Sequence, residues 1–141
     1  MKTNVNLEQL VAGAGDAIMV CDAEGAITLW NAASERIFGF TEAEALGKSL
    51  DLIVPQRQRQ RHWDGYQKTM ETGITKYGAD VLRVPALHKD GHTLSIAFTV
   101  SMLFSEDRKV TGIVAIVRDE TARFAEERKL RARLVEVEAK I

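Results

Sequence analysis

Hydrophobic spacing divides the chain into stretches of different period. Leu7, Leu10, Val11 and Ala14 fall on one helical face. Asn6 with Gln9 three positions later reads as a capping box, so a short amphipathic helix is expected to end at Gly13 or Gly15. The period then shortens. AIMVCD and AITLWN are apolar runs on either side of a glycine turn, which predicts a hairpin. Asn31 is a good N-cap for NAASERIFGF, and Thr41 with Glu44 forms a second capping box for TEAEALG, ended by Gly47. Ser49 to Val54 links these short helices to a longer one. Pro55 suits the start of that helix, since the first helical N–H has no partner, and Gly73 suits its end.

After Gly73 the period returns to two. Thr75 to Leu87 alternates imperfectly, and Pro85 restricts it to an edge or a bulge. Lys89-Asp90-Gly91 predicts a tight hairpin turn. Leu94, Ile96, Phe98, Val100 and Met102 then point one way, with Thr93, Ser95, Ala97, Thr99 and Ser101 pointing the other. SEDRK is the next turn, and Val110 to Val117 the last strand. From Asp119-Glu120-Thr121 onward the chain reads as a charged helix. Leu130, Leu134, Val137 and Ile141 are spaced four, three and four apart, a short heptad seam that predicts dimerisation.

Five antiparallel strands with helices on one face make an α+β fold. The expected organisation is an N-terminal amphipathic helix over residues 1–15, a core over 16–119 and a C-terminal coiled-coil helix over 120–141. Helices cover one face of such a sheet. A cavity is therefore expected between that face and the helix at 55–72, floored by Leu94, Ile96, Phe98 and Val100.

Composition narrows the function classes. The chain of 141 residues suffices for one domain, and a net charge of −1 gives no field that attracts nucleic acid or anionic membrane. Arg57, Arg59 and Arg61 alternate with glutamines and read as a solvated helix start. No apolar run reaches membrane-spanning length, and MKTNVNLEQL lacks the apolar core of a signal peptide. Cys21 is the single cysteine, which excludes an intrachain disulfide and a cysteine-built zinc site. It reads as a small buried hydrophobe in a cytoplasmic protein.

Candidate chemistry concentrates on the long helix. His62, Tyr66 and Met70, four residues apart, put an imidazole, a phenol and a thioether on one face. His62 is either packed at a surface edge or offered as a neutral ligand to a metal or heme iron. His88 and His92 flank the KDG turn as exposed loop residues and, with His62, make no metal-ligand spacing. No nucleophile–base arrangement, phosphate loop or dinucleotide fingerprint occurs, so no enzyme activity is expected.

Three stretches together resemble a PAS domain: DAIMVCDAEGAITLWNAASERIFGFTEAEALGKSL, the KDG turn at 89–91, and GIVAIVRDET at 112–121. The similarity runs from Leu7 to Thr121. It implies a sensory and dimerisation module that binds heme, flavin, a small metabolite or nothing, and signals through its C-terminal helix. Asp119 and Thr121 match the family's Asp-x-Thr junction, which caps and anchors that helix. The photochemical flavin branch carries a cysteine in the helical region, which this sequence lacks.

Within the family, Val54-Pro55 and Arg61-His62 resemble the heme-binding oxygen-sensor kinases. That resemblance makes His62 the axial iron ligand. Tyr66 echoes a nearby tyrosine, displaced by one residue, and Phe98 and Val100 match apolar distal residues. Arg83 lies near the oxygen-binding arginine of that branch, although Leu82 falls at the matching distance from Asp90. The implied cofactor-binding set is His62, Tyr66, Met70, Arg83, Ile96, Phe98 and Val100. The implied protein is a cytoplasmic signal-transduction sensor of gas or redox state, homodimeric through its N- and C-terminal helices, acting on a signalling partner or output domain. The alternative is a heme-free module that binds a small organic ligand or serves as a dimerisation or protein-interaction adaptor.

Overall fold

The computed structural model describes residues 4–75 and 80–140. Its elements are α1 (Leu7–Gly13), β1 (Ala17–Asp22), β2 (Ile27–Trp30), α2 (Ala32–Phe38), α3 (Glu42–Ala45), α4 (Arg59–Thr72), β3 (Leu82–Leu87), β4 (Thr93–Phe104), β5 (Val110–Asp119) and α5 (Thr121–Ala139). All strand pairs are antiparallel, in the spatial order β2-β1-β5-β4-β3. The fold is thus the expected α+β arrangement, with its helical connections between β2 and β3.

Local capping chemistry sets most boundaries. The Asn6 side chain accepts from the N–H of Gln9 at 3.1 Å, and Thr41 and Glu44 form a full reciprocal box. Two expected boundaries move. Pro55 opens a single 3₁₀ turn, Gln56–Gln58, and the α-helix begins only at Arg59. The third strand starts at Leu82, not Thr75; residues 76–79 lie outside the described residues. β3 is the sheet edge, so Pro85 removes no N–H that an outer neighbour needs.

The register assigns every strand residue to a face. Cross-strand partners share a face, so Ala17, Met19 and Cys21 join Val117, Ala115 and Ile113 on the inner side. Val117 and Ala115 in turn pair with Phe98 and Val100, while Val84 and Ala86 pair with Ile96 and Leu94. A bulge between Val20 and Cys21 brings both Ile27 and Trp30 to the same side. These side chains pack with Phe38, Ala45, Ile53 and Tyr66 into one continuous core. Trp30 and Phe38 are fully buried, their ring centroids 5.6 Å apart. Removing either ring costs about 4 kcal/mol at such sites.

Asn31 ties three elements to this core. It is 6% exposed. Its Oδ1 accepts from the N–H of Ile18 at 2.9 Å, the N–H of Ser34 at 3.0 Å and the Ser34 hydroxyl at 2.9 Å. Its Nδ2 donates to the carbonyls of Val11 at 2.8 Å and Asp16 at 3.2 Å. A side chain that caps α2 therefore also fixes the end of α1 and the start of β1.

Candidate functional site

The sequence of α4 fastens it at both faces of its first turns. Arg59 donates to the carbonyls of Val54 at 3.0 Å and Asp51 at 3.3 Å, which anchors the helix start. The Trp63 indole N–H donates to Asp51 Oδ1 at 2.7 Å. One turn on, the Tyr66 hydroxyl donates to the Asp22 carbonyl at 2.5 Å, at the end of β1. Burial, with the negative charges around it, raises the Tyr66 pKa, so the phenol stays protonated as a donor. The Trp63 ring lies directly over Gly25. A Cβ at that glycine would sit 2.3 Å from two ring carbons, and its φ of +86° also requires glycine.

His62 sits behind this aromatic group, 4.6 Å from Trp63 and 5.9 Å from Tyr66 between ring centroids. Its Nδ1 is buried with no hydrogen-bond partner. Burial depresses its pKa, and the opposing charge of Asp51 is the smaller effect. The ring is therefore neutral at physiological pH, the form that can ligate a metal. Gln58 Oε1, four residues earlier, is the other buried side-chain atom without a partner among the described residues.

The predicted set separates into three groups. His62, Tyr66 and Met70 do share the inward side of α4, with Tyr66 in the core and Met70 packed against it. Ile96 is buried on the inner sheet face, Phe98 packs on the core, and Val100 is half-buried. Arg83 is not brought to them. It is exposed and in register with Ala97, so it projects from the opposite face to Phe98, whose partner is Leu82. A one-residue step along a strand reverses the face, which is why Leu82 and not Arg83 faces inward.

The cavity also differs from expectation. A cleft of about 320 Å³ lies between α4 and the β1–β2 turn, lined by Ala23, Glu24, Trp63, Tyr66, Gln67, Met70 and Glu71. It contains neither His62 nor the strand residues Leu94, Ile96, Phe98 and Val100. Between α4 and β4, Ile53, Tyr66, Leu94 and Ile96 belong to one core with Trp63 and Phe98 against it. Nearer the β3 edge the inner face is less covered, and Val84 is 39% exposed.

Sequence reasoning did not assign Trp63, Asp22 or Asp51 to this site. The i, i+3 spacing of Trp63 and Tyr66 was the available signal for the first; the other two act through contacts distant in sequence. Cys21 is 3% exposed, and burial, with Asp22 adding to it, pushes its thiol up to about 12. It is an unreactive core residue.

The junction after β5 is a compact hydrogen-bonded knot. Asp119 Oδ1 accepts from the N–H of Thr121 at 2.9 Å and from its hydroxyl at 2.5 Å. The Thr121 Oγ1 accepts from the N–H of Ser95 at 3.0 Å, and the Glu120 N–H donates to the Ser95 carbonyl at 2.8 Å. Ser95 lies between Leu94 and Ile96, so the start of α5 is bonded to the strand that lines the core. Along α5, Leu130, Leu134 and Val137 are 57%, 57% and 53% exposed. Ile141 lies outside the described residues.

This architecture defines a small α+β domain with an exit helix. The chain belongs to the PAS family: the family model described as the PAS fold matches residues 6–119. Sensor protein FixL of Bradyrhizobium diazoefficiens is 30% identical over 127 residues, covering 89% of this chain and 24% of that protein. Oxygen sensor protein DosP of Escherichia coli is 23% identical over 132 residues, covering 94% of this chain and 16% of that protein. The chain thus spans about a quarter or less of these relatives. Among solved structures, the PAS domain of a Colwellia psychrerythraea protein superposes with a TM-score of 0.72 at 25% identity, covering 82% of this chain and 95% of that one. No helix among the described residues is long and apolar enough to cross a membrane.

Proposed function

We propose that this sensory PAS domain binds heme through His62 and reports the state of that site through α5. The observation that carries the reading is the His62 imidazole: half-buried, held neutral by desolvation, and left with a buried, unpartnered Nδ1 on the helix that faces the sheet. A buried polar atom without a partner costs about 1–3 kcal/mol, and a ligand or a change of ring orientation relieves that cost. The similarity to an oxygen sensor over 94% of this chain supports the same reading.

In this reading Ile96, Phe98 and Val100 would line the site from the sheet and Tyr66 and Met70 from α4, and the packing among them would have to open to admit the group. Bound heme supplies an iron centre that responds to gas ligands and redox state. The protein's own part is the relay. Strand β4 carries Ile96 and Phe98 on its inner face and bonds through Ser95 to Glu120 and Thr121. A shift of β4 therefore reaches the first turn of α5 within a few residues. Across 19 residues, about 28 Å, α5 carries that shift to a second copy of the chain and then to an output partner in the cytoplasm.

The test is a titration of the chain with hemin, read by absorption, for the parent and His62→Ala. The expected result is a sharp Soret band at one equivalent in the parent, shifted or lost in the variant. A broad, weak band identical in both proteins overturns the heme reading and directs the search to a small organic ligand.

A further inference from the structure

The β3–β4 turn brings together three side chains that spacing along the chain sets apart. His88 and His92 face each other across the hairpin: the His88 N–H donates to the His92 carbonyl at 3.0 Å, and their rings stack with centroids 4.6 Å apart. Gly91, at φ +94°, closes the turn with its N–H on the His88 carbonyl at 2.9 Å. Asp90 lies at the Nδ1 edges of the stacked rings, its backbone N–H donating to His88 Nδ1 at 3.1 Å. Its Oδ1 accepts from the His92 N–H at 3.0 Å, lies 3.2 Å from His88 Nδ1 and touches His92 Nδ1. One ligand atom from each residue lies within 4.8 Å of the other two, and no other such trio of His, Cys, Asp or Glu occurs among the described residues.

We propose that His88, Asp90 and His92 form a binding site for a divalent transition-metal ion of the zinc class. Metal–ligand bonds of about 2.1 Å in a tetrahedral site put ligand atoms about 3.4 Å apart. The trio, with its ligand atoms within 4.8 Å of one another, is near that size already. Two imidazoles and one carboxylate select Zn²⁺, Co²⁺ or Ni²⁺ over Ca²⁺ and Mg²⁺, which take mainly oxygen ligands. Three protein ligands leave a fourth position for water.

The turn is anchored for this role. The Lys89 N–H donates to the Phe38 carbonyl at 2.9 Å, and the Lys89 ammonium pairs with Glu44 at 2.5 Å, which turns its charge away from the trio. The His88 ring packs over Gly39, where a Cβ would come within 2.6 Å of it. The His92 backbone N–H, at 3.0 Å, fixes the position of the Asp90 carboxylate. A bound ion ties β3 to β4 and holds their turn against the end of α2. The site shares no residue with the proposed heme site and stands independently of it.

Untagged, chelator-treated chain is titrated with Zn²⁺ by calorimetry and with Co²⁺ by visible absorption. The expected result is saturable one-to-one binding in the parent. It weakens at least tenfold in His88→Ala and in His92→Ala, and is unchanged in His62→Ala. Because His88 packs on α2, circular dichroism checks the fold, and His92→Ala, whose ring is half exposed, carries the test if His88→Ala does not fold. No saturable binding in the parent, or parental affinity in His92→Ala, overturns the proposal.

Discussion

Asn31 and Leu134 mark two regions with different rules. Asn31, at 6% exposure, makes five side-chain hydrogen bonds and holds α1, β1 and α2 together. Leu134 is 57% exposed on a helix that contains no buried residue. The same contrast separates the core from α1, which likewise buries none of its residues and leaves Leu7 and Leu10 63% and 54% exposed. Core side chains are addressed to the chain itself. The terminal helices carry apolar side chains that the domain leaves in water, and an isolated helix gains little stability until such a stripe is covered. The difference teaches that hydrophobic periodicity finds an element but not its partner.

The largest effect is expected where the core is most connected. Asn31→Ala removes a helix cap and strands the N–H groups of Ile18 and Ser34 and the carbonyl of Val11. Loss of about 3 kcal/mol is expected, read as a lower urea midpoint. A loss below about 1 kcal/mol would mean that water or local rearrangement replaces these bonds, and that the core is less tightly specified than the contrast requires.

His62, at the border of the core, departs from its rule, since its buried Nδ1 has no partner. Burial holds its folded pKa below the ordinary 6.5. Below pH 6.5 the unfolded chain takes up a proton that the folded chain resists. The contribution is therefore fully present above that pH and is lost as pH falls toward the folded value. His62→Leu removes both the proton demand and the unpartnered nitrogen. Stability near pH 7.5 should rise by about 1 kcal/mol, and the acid limb down to about pH 5 should flatten. Urea unfolding across that range measures both. An acid limb as steep as the parent's would place the titration elsewhere.

The legible parts of the molecule were those decided locally. Asn31, the Thr41–Glu44 box and Gly73 each act within one helical turn, so their residue types identify them. The alternation of β4 gave its inward face because a strand has one period. The failures share a different cause. Arg83 enters the set for its nearness to the family position although Leu82 falls at the matching distance from Asp90, and one step along a strand reverses the face. Trp63 is positioned by Gly25 and Asp51, which no spacing within α4 records. The placement of the cleft beside Trp63 depends on all of these contacts at once.

The smallest effect on the folded domain is expected at its end. In Leu134→Glu with Val137→Glu, neither replaced side chain leaves a cavity, because both are more than half exposed. Unfolding of the core at low protein concentration should shift by less than about 0.5 kcal/mol. Association should change far more. Two carboxylates in a heptad seam face their copies across the axis, and like charges there oppose pairing. Light scattering should therefore report monomers for the variant and dimers for the parent, and only the parent's midpoint should rise with protein concentration. If the variant keeps the parental mass, the exposed seam of α5 is not what joins two copies. The outer sheet face then becomes the candidate, since Ile116 is 44% exposed there. If instead the core midpoint falls at low concentration, α5 supports its own domain, and the division between core and terminal helices fails at this end of the chain.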